Sequence, residues 1–157
     1  MIRPTTPNDT EALIALADAT GLFPPDGLAF LRQLLTDSLG QTEATDPFWL
    51  TDEDDSPVGV AYCEPERLTD GTWNLQLIAI HPDRQGQGRG TQLLQAVEQA
   101  LQLRGGRLLL VETSGLPELA GTRTFYEKYG FEAEACIRDF YAQGDDKVVF
   151  RKVLAVS

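Results

Sequence analysis

The stretch Gln85-Gly86-Gln87-Gly88-Arg89-Gly90-Thr91 constrains this chain more than any other. It follows the apolar run Leu75-Gln76-Leu77-Ile78-Ala79-Ile80 and precedes a helical pattern with Leu93, Leu94, Val97 and Leu101 on one face. Strand, glycine-rich turn and helix, in that order, build an anion site from backbone alone. Glycines let the chain approach a phosphate closely. The first free N–H groups of the helix point at it, with the positive end of the helix dipole behind them. The turn therefore predicts a grip on a phosphorylated ligand. Two familiar phosphate motifs fail here. A Walker loop needs Gly-Lys-Ser/Thr at its end, which this turn lacks. The dinucleotide fingerprint Gly-x-Gly-x-x-Gly fails on spacing, because Gly86 and Gly88 lead to Thr91, and Gly88 and Gly90 to Leu93.

The spacing that fits is Gln/Arg-x-x-Gly-x-Gly/Ala, formed by Gln85, Gly88 and Gly90 and introduced by His81-Pro82-Asp83. Downstream, beyond a predicted strand, stands Phe125-Tyr126-Glu127-Lys128-Tyr129-Gly130-Phe131. With both segments in this order, the chain resembles the GCN5-related N-acetyltransferases over essentially its full length. The first segment matches their pyrophosphate-binding loop for acetyl-coenzyme A (acetyl-CoA), the second their Phe/Leu-Tyr-x-x-x-Gly-Phe motif.

Composition sets the outer bounds. A chain of 157 residues is read as one domain, 1–157, able to bury a substantial core. No apolar run approaches bilayer-spanning length and Met1-Ile2-Arg3-Pro4 has no signal-peptide core, so a cytoplasmic enzyme is expected. Cys63 and Cys136 lie far apart in apolar, strand-like contexts and are expected to be buried free thiols. His81 is the only histidine, which argues against a multi-histidine metal site and against a Ser-His-Asp triad with a second, shuttle histidine. The net charge of −11 repels nucleic acid and anionic membrane, and favours either plain solubility or a cationic amine partner. The run Asp52-Glu53-Asp54-Asp55, followed by Ser56-Pro57, reads as a solvated hairpin turn.

Periodicity and breakers give the order β-α-α-β-β-β-α-β-α-β-β. A short strand over 1–5 precedes a helix opened by an Asn8–Glu11 capping box, with Leu13, Ile14 and Ala17 inward. A second helix starts near Pro24-Pro25-Asp26 and stops at Gly40. Strands follow over 48–51, 58–63 and 73–80, the last after the Asp70-Gly71 turn. Gly105-Gly106 ends the helix after the loop. The strand over 107–113 is apolar enough in its centre to be buried on both faces. A fourth helix runs from about Pro117 to Tyr129, with Gly130 as a left-handed stop and Phe131 as its closing contact. A hairpin of 131–141 and 147–154 finishes the chain. The order matches the α/β (α+β) acyl-CoA N-acyltransferase fold that the resemblance implies: one domain, a mixed, mostly antiparallel sheet, about four flanking helices.

The resemblance also implies a chemistry, direct attack of a primary amine of a small molecule or peptide on acetyl-CoA in a ternary complex. An alkylamine has an ordinary pKa of about 10.4, so its proton must be removed near neutrality. By resemblance, Gly86, Gln87, Gly88, Arg89, Gly90 and Thr91 wrap the pyrophosphate with Gln85 at their head. The strand edge at Ile78, Ala79 and Ile80 pairs with the pantetheine amides, and the Ile80 N–H faces the thioester carbonyl, a donor worth about 3 kcal/mol in the transition state. Arg84 and Arg89 are either phosphate ligands or solvated surface groups. Tyr126 aligns with the tyrosine that protonates the leaving thiolate. Some members carry a glutamate base where this chain has Asn74. Glu112 and Glu64 are therefore the candidates for binding or deprotonating the amine, and a water relay stays open. Many members place an asparagine where this chain has Leu119, and Thr122 or Arg123 is the candidate replacement toward the cofactor. Acetyl-CoA is expected as co-substrate, with no metal. The acceptor site is expected from Phe23, Phe30, Trp49, Phe140 and Tyr141 with Asp139, Asp145 and Asp146, a lining that suits a cation. A homodimer stays open, since the final strands often pair between subunits in relatives. A non-catalytic acyl-CoA sensor and transfer of a longer acyl group are the alternatives.

Overall fold

Seven strands form one sheet in the order β1-β2-β3-β4-β5-β7-β6, and the computed structural model describes residues 1–155 of the chain. β1 (Ile2–Pro4) pairs with β2 (Phe48–Asp54), β2 with β3 (Ser56–Pro65), and β3 with β4 (Thr72–Ile80), all antiparallel. β4 meets β5 (Leu108–Ser114) in the parallel pairing, and β5 continues antiparallel to β7 (Asp145–Val153), which pairs with edge strand β6 (Glu132–Ala142). Four helices flank the sheet: α1 (Thr10–Ala19), α2 (Pro25–Ser38), α3 (Arg89–Leu103) and α4 (Ala120–Tyr129). The order of elements is the one expected from the sequence.

Strand alternation divides the core in two. On one face, Ala61, Cys63, Trp73, Leu75, Leu109, Val111 and Phe150 pack against Leu93, Leu94, Val97 and Leu101 of α3 and against Tyr126. On the other, Val60, Tyr62 and Trp49 meet Leu13, Leu16 and Ala17 of α1 and Leu31 and Leu35 of α2. α1 packs on β3 and β4 and stops there. The C-terminal strands are thus uncovered on that side, and β6 is exposed along its whole length. This corrects the expectation for β5. Leu109 and Val111 are buried while Leu108 and Leu110 are only half-buried, because no helix crosses their face. Cys136, on β6, is exposed for the same reason, whereas Cys63 is fully buried as expected.

α1 begins differently from the expected capping box. A 3-10 turn, Pro7–Asp9, precedes it, and the Thr6 backbone N–H donates to Asp9 Oδ2 at 2.8 Å. Glu11 instead faces α2 and pairs with Arg32. Asp9, 7% exposed, also accepts from Arg3 Nη1 (2.8 Å) and Nη2 (2.9 Å), and Arg3 Nη2 reaches Glu53 at 3.1 Å. Hydrogen bonds from Arg3 outweigh desolvation and draw the Asp9 carboxyl down to about 2. A carboxyl depressed in the folded state stabilises the fold above its unfolded pKa, and that stability is lost as pH falls through the folded value. Asp9→Asn is therefore expected to cost about 2 kcal/mol at neutral pH. The variant should lose much of its acid-side decline between about pH 4 and pH 2, checked by urea denaturation across that range.

Candidate active site

β4 and β5 pair only over Thr72–Leu75 and Leu108–Val111. β4 then runs on to Ile80 and β5 to Ser114 without meeting again, so the sheet parts in the middle. At the parting, Gln76 is the extra residue of a β-bulge, because Tyr62 pairs with Leu77 and Cys63 with Leu75. The divergent edges leave a groove of about 640 Å³, a volume suited to a cofactor-sized ligand. Backbone N–H and C=O groups on such an edge ask for a partner.

The groove has a loop end and a deep end. At the loop end, Gln85 Nε2 donates to the Ile80 carbonyl at 3.0 Å and fastens the turn to the strand. Gly86 (φ 76°) and Gly88 (φ 80°) are left-handed, the conformation that glycine takes at least cost. Gly88 caps α3, and Gln85, Gly86, Gly88, Arg89, Gly90 and Thr91 line the groove together with Ile78, Ala79 and Ile80. Gln87 stands exposed outside the lining. A Cβ on Gly90 would come 3.4 Å from the Phe125 ring, so a small residue lets α3 and α4 close on this end.

Arg84 and Arg89 both line the groove, and neither is a free surface group. Arg89 bridges to Asp52 (3.1 Å) and Asp54 (3.0 Å), and Arg84 donates to Asp54 at 2.6 Å. The acidic run is thus no solvated turn. Asp52 is 2% exposed and Glu53 pairs with Arg3, so these carboxylates tie the β2–β3 hairpin to the terminus and to the loop. The Arg84 hydrogen bond holds the Asp54 carboxyl below its ordinary range.

At the deep end, Glu112 is the first residue of β5 beyond the paired segment and lines the groove. Its Oε2 accepts from Lys147 Nζ at 2.9 Å and from Asn74 Nδ2 at 3.4 Å. Asn74 also donates to Glu66 at 3.1 Å, while its buried Oδ1 has no partner. Tyr126, on α4, borders the groove from the other face of the sheet. Phe131 packs edge-on to its ring at 5.5 Å, with Phe125 and Phe150 alongside. Phe131 N–H closes on the Tyr126 carbonyl at 3.0 Å past left-handed Gly130, which is the helix stop the sequence predicted. Burial alone pushes the phenol well above its ordinary pKa, with no hydrogen-bonding partner contributing.

Other expected residues stand elsewhere. Glu64 pairs across to Asn74 one strand away, outside the groove lining; burial first, and then the nearby Glu64 carboxylate, push the Tyr62 phenol well above its ordinary value. Arg123 is committed to the β5–α4 connection, donating to the carbonyls of Ser114 (2.8 Å) and Leu116 (2.9 Å), so Thr122 and not Arg123 borders the groove. Ile80 lines the groove at its loop end, at the last position of β4 and beyond the bulge at Gln76. Trp49 is core: it stacks on Tyr62 and donates to Ser38 at 2.6 Å. Phe30 is exposed on α2. Asp139 and Asp146 brace the β6–β7 hairpin, as the Asp139 N–H donates to Asp146 and Asp139 accepts from Gly144 N–H. The irregular register between Ile137 and Ala142 puts Phe140 over Lys147, its centroid 4.1 Å from Nζ. Tyr141 lies close enough to Glu112 and Asp145 that their charges add to burial in raising its phenol. Sequence reasoning missed the Asn74–Glu112–Lys147 chain, whose members meet only through strand register. Among the described residues, no His, Cys, Asp and Glu cluster fits a metal ion, and no helix is long and apolar enough to cross a membrane.

Residues 44–133 match a family model described as an acetyltransferase (GNAT) domain. A crystal structure from Desulfovibrio desulfuricans, assigned to the GNAT family of acetyltransferases, is 38% identical, covers 99% of both chains and superposes with a TM-score of 0.92. An aminoglycoside 6'-N-acetyltransferase complexed with coenzyme A shares the fold at TM-score 0.80 and 14% identity, covering 100% of this chain and 98% of its own. The ribosomal-protein-S18-alanine N-acetyltransferase of Escherichia coli does so at TM-score 0.78 and 21% identity, covering 100% and 95%. No protein among the curated sequences matches.

Proposed function

This chain belongs to the GNAT family of acetyltransferases, and from that premise we infer that it moves the acetyl group of acetyl-CoA to a cationic primary amine by direct attack in a ternary complex. The observation that carries the reading is the parting of β4 from β5 above a loop of left-handed glycines. An unpaired strand edge suits the amides of pantetheine, and the α3 N-terminus suits a pyrophosphate. Arg84 and Arg89, held in place by Asp52 and Asp54, add positive charge beside it. CoA threaded this way has its acyl group at the deep end, by the bulge at Gln76, Glu112 and Tyr126.

Roles then follow from chemistry. Backbone N–H groups freed by the bulge receive the carbonyl oxygen as charge develops on it. Glu112 binds the incoming ammonium and takes its proton. Tyr126, whose raised pKa keeps it protonated, gives a proton to the departing thiolate. The acceptor enters over the uncovered face of β5, where Glu66, Glu112 and Asp145 supply negative charge and Tyr141 an aromatic wall.

Calorimetry with CoA, followed by acetyl-CoA and a panel of amines with thiol release as readout, tests the reading. Acceptor-dependent release supports it, and CoA binding without release from any amine would make the chain a sensor. Gly88→Ala isolates the loop. The new Cβ has open space, so the cost is conformational, about 1–2 kcal/mol; the empty loop escapes it by leaving the left-handed region and meets it again on binding, roughly a tenfold weaker Kd for CoA. Gly144→Ala, equally left-handed but on the distant hairpin, should leave that Kd alone.

A further inference from the structure

Lys147 faces Ser114 across the β5–β7 ladder, and its ammonium rests on Glu112 at 2.9 Å and over the Phe140 ring at 4.1 Å. A carboxylate beneath an aromatic face is the setting that recognises an amine. Here an amine of the chain itself fills it, beside Glu112 at the end of the groove where the acyl-CoA reading puts the acyl group. The lysine side chain keeps only 14% of its exposure. The other two lysines of the sequence are placed differently. Lys128 is exposed on α4, and Lys152 pairs with Glu98 beside Tyr129 on the α3 side.

We propose that Lys147 is a self-acetylation site, the amine that the deep end of the groove acetylates when no other acceptor is present. The inference rests on the acyl-CoA reading of the groove. Glu112 takes one proton from the Lys147 ammonium and passes it to solvent. The free amine attacks the thioester carbonyl carbon, so that a C–N bond forms and the C–S bond breaks. The nitrogen loses its second proton to Glu112, and the thiolate receives one from Tyr126, which is re-protonated from solvent. The products are Nε-acetyl-lysine and CoA thiol. Acetylation removes the charge from Lys147 and dissolves both the ion pair and the cation–π contact. Glu112 is then released to face an external amine.

The protein incubated with acetyl-CoA alone, followed by intact-mass measurement and peptide mapping, tests this. The expected result is one acetyl group per chain, mapped to Lys147. Proximity should make its rate on the order of tenfold or more above those of Lys128 and Lys152. Lys147→Arg should lose that increment while binding CoA as the parent does in calorimetry. CoA binding with Lys147 unmodified, or modified no faster than Lys128, overturns the proposal and leaves the groove reading intact. Absence of CoA binding overturns both, and the calorimetric trace tells the two failures apart.

Discussion

Replacing Tyr126 with phenylalanine is expected to lower turnover about 10²-fold, the low end of what a positioned general acid contributes, with CoA affinity and melting temperature unchanged. The split follows from how the ring is held. Three aromatic neighbours fix it from the sides, and none of those contacts uses the hydroxyl. Removing one unpartnered oxygen leaves the packing intact, so any loss of rate belongs to the chemistry. Burial raises the phenol still further above its ordinary value near 10, so the parent enzyme should show no basic limb from Tyr126 near neutrality. Thiol release measured at saturating acetyl-CoA decides the matter: a Tyr126→Phe rate equal to that of the parent ends the assignment.

Glu112→Gln is expected to act as strongly, lowering kcat by roughly 10²–10³-fold. The amide keeps the size and much of the hydrogen bonding to Asn74, but it neither attracts an ammonium nor accepts a proton. It also leaves the Lys147 ammonium without its counter-ion in a half-buried position, so a stability measurement accompanies the kinetics. A rise confined to KM, with kcat unchanged, would make Glu112 a binding group alone. Glu64→Gln is the comparison, expected near parental rate because Glu64 lies outside the groove lining.

The sequence told most where chemistry is local. Glycines at fixed spacing between an apolar run and a helical stripe fixed the loop. Tyr126 and Gly130 declared a helix end and an aromatic facing inward. Long-range pairs were silent. Lys147 reaches Glu112 because Ser114 and Lys147, far apart in the chain, are paired across β5 and β7. No residue spacing encodes that register. The acidic run looked like a solvated turn because its partners, Arg3, Arg84 and Arg89, lie on other elements. Arg123 looked like a replacement contact toward the cofactor because sequence does not reveal which carbonyls a connection leaves open. The parting of the sheet was only half legible: β4 stays apolar past Gln76, while β5 turns polar at Glu112, Thr113 and Ser114, where it leaves its partner.

That parting has a consequence for the molecule's endurance. β4 beyond Leu75 presents hydrogen-bonding groups to an open seam, and the coenzyme proposed to bind there would act as a removable strand. Anything that binds the native chain and not the unfolded one raises the free energy of unfolding by an amount set by its concentration over its dissociation constant. Resistance to heat and to proteases should therefore track the supply of that coenzyme: the protein is sturdiest when well fed and most vulnerable when starved.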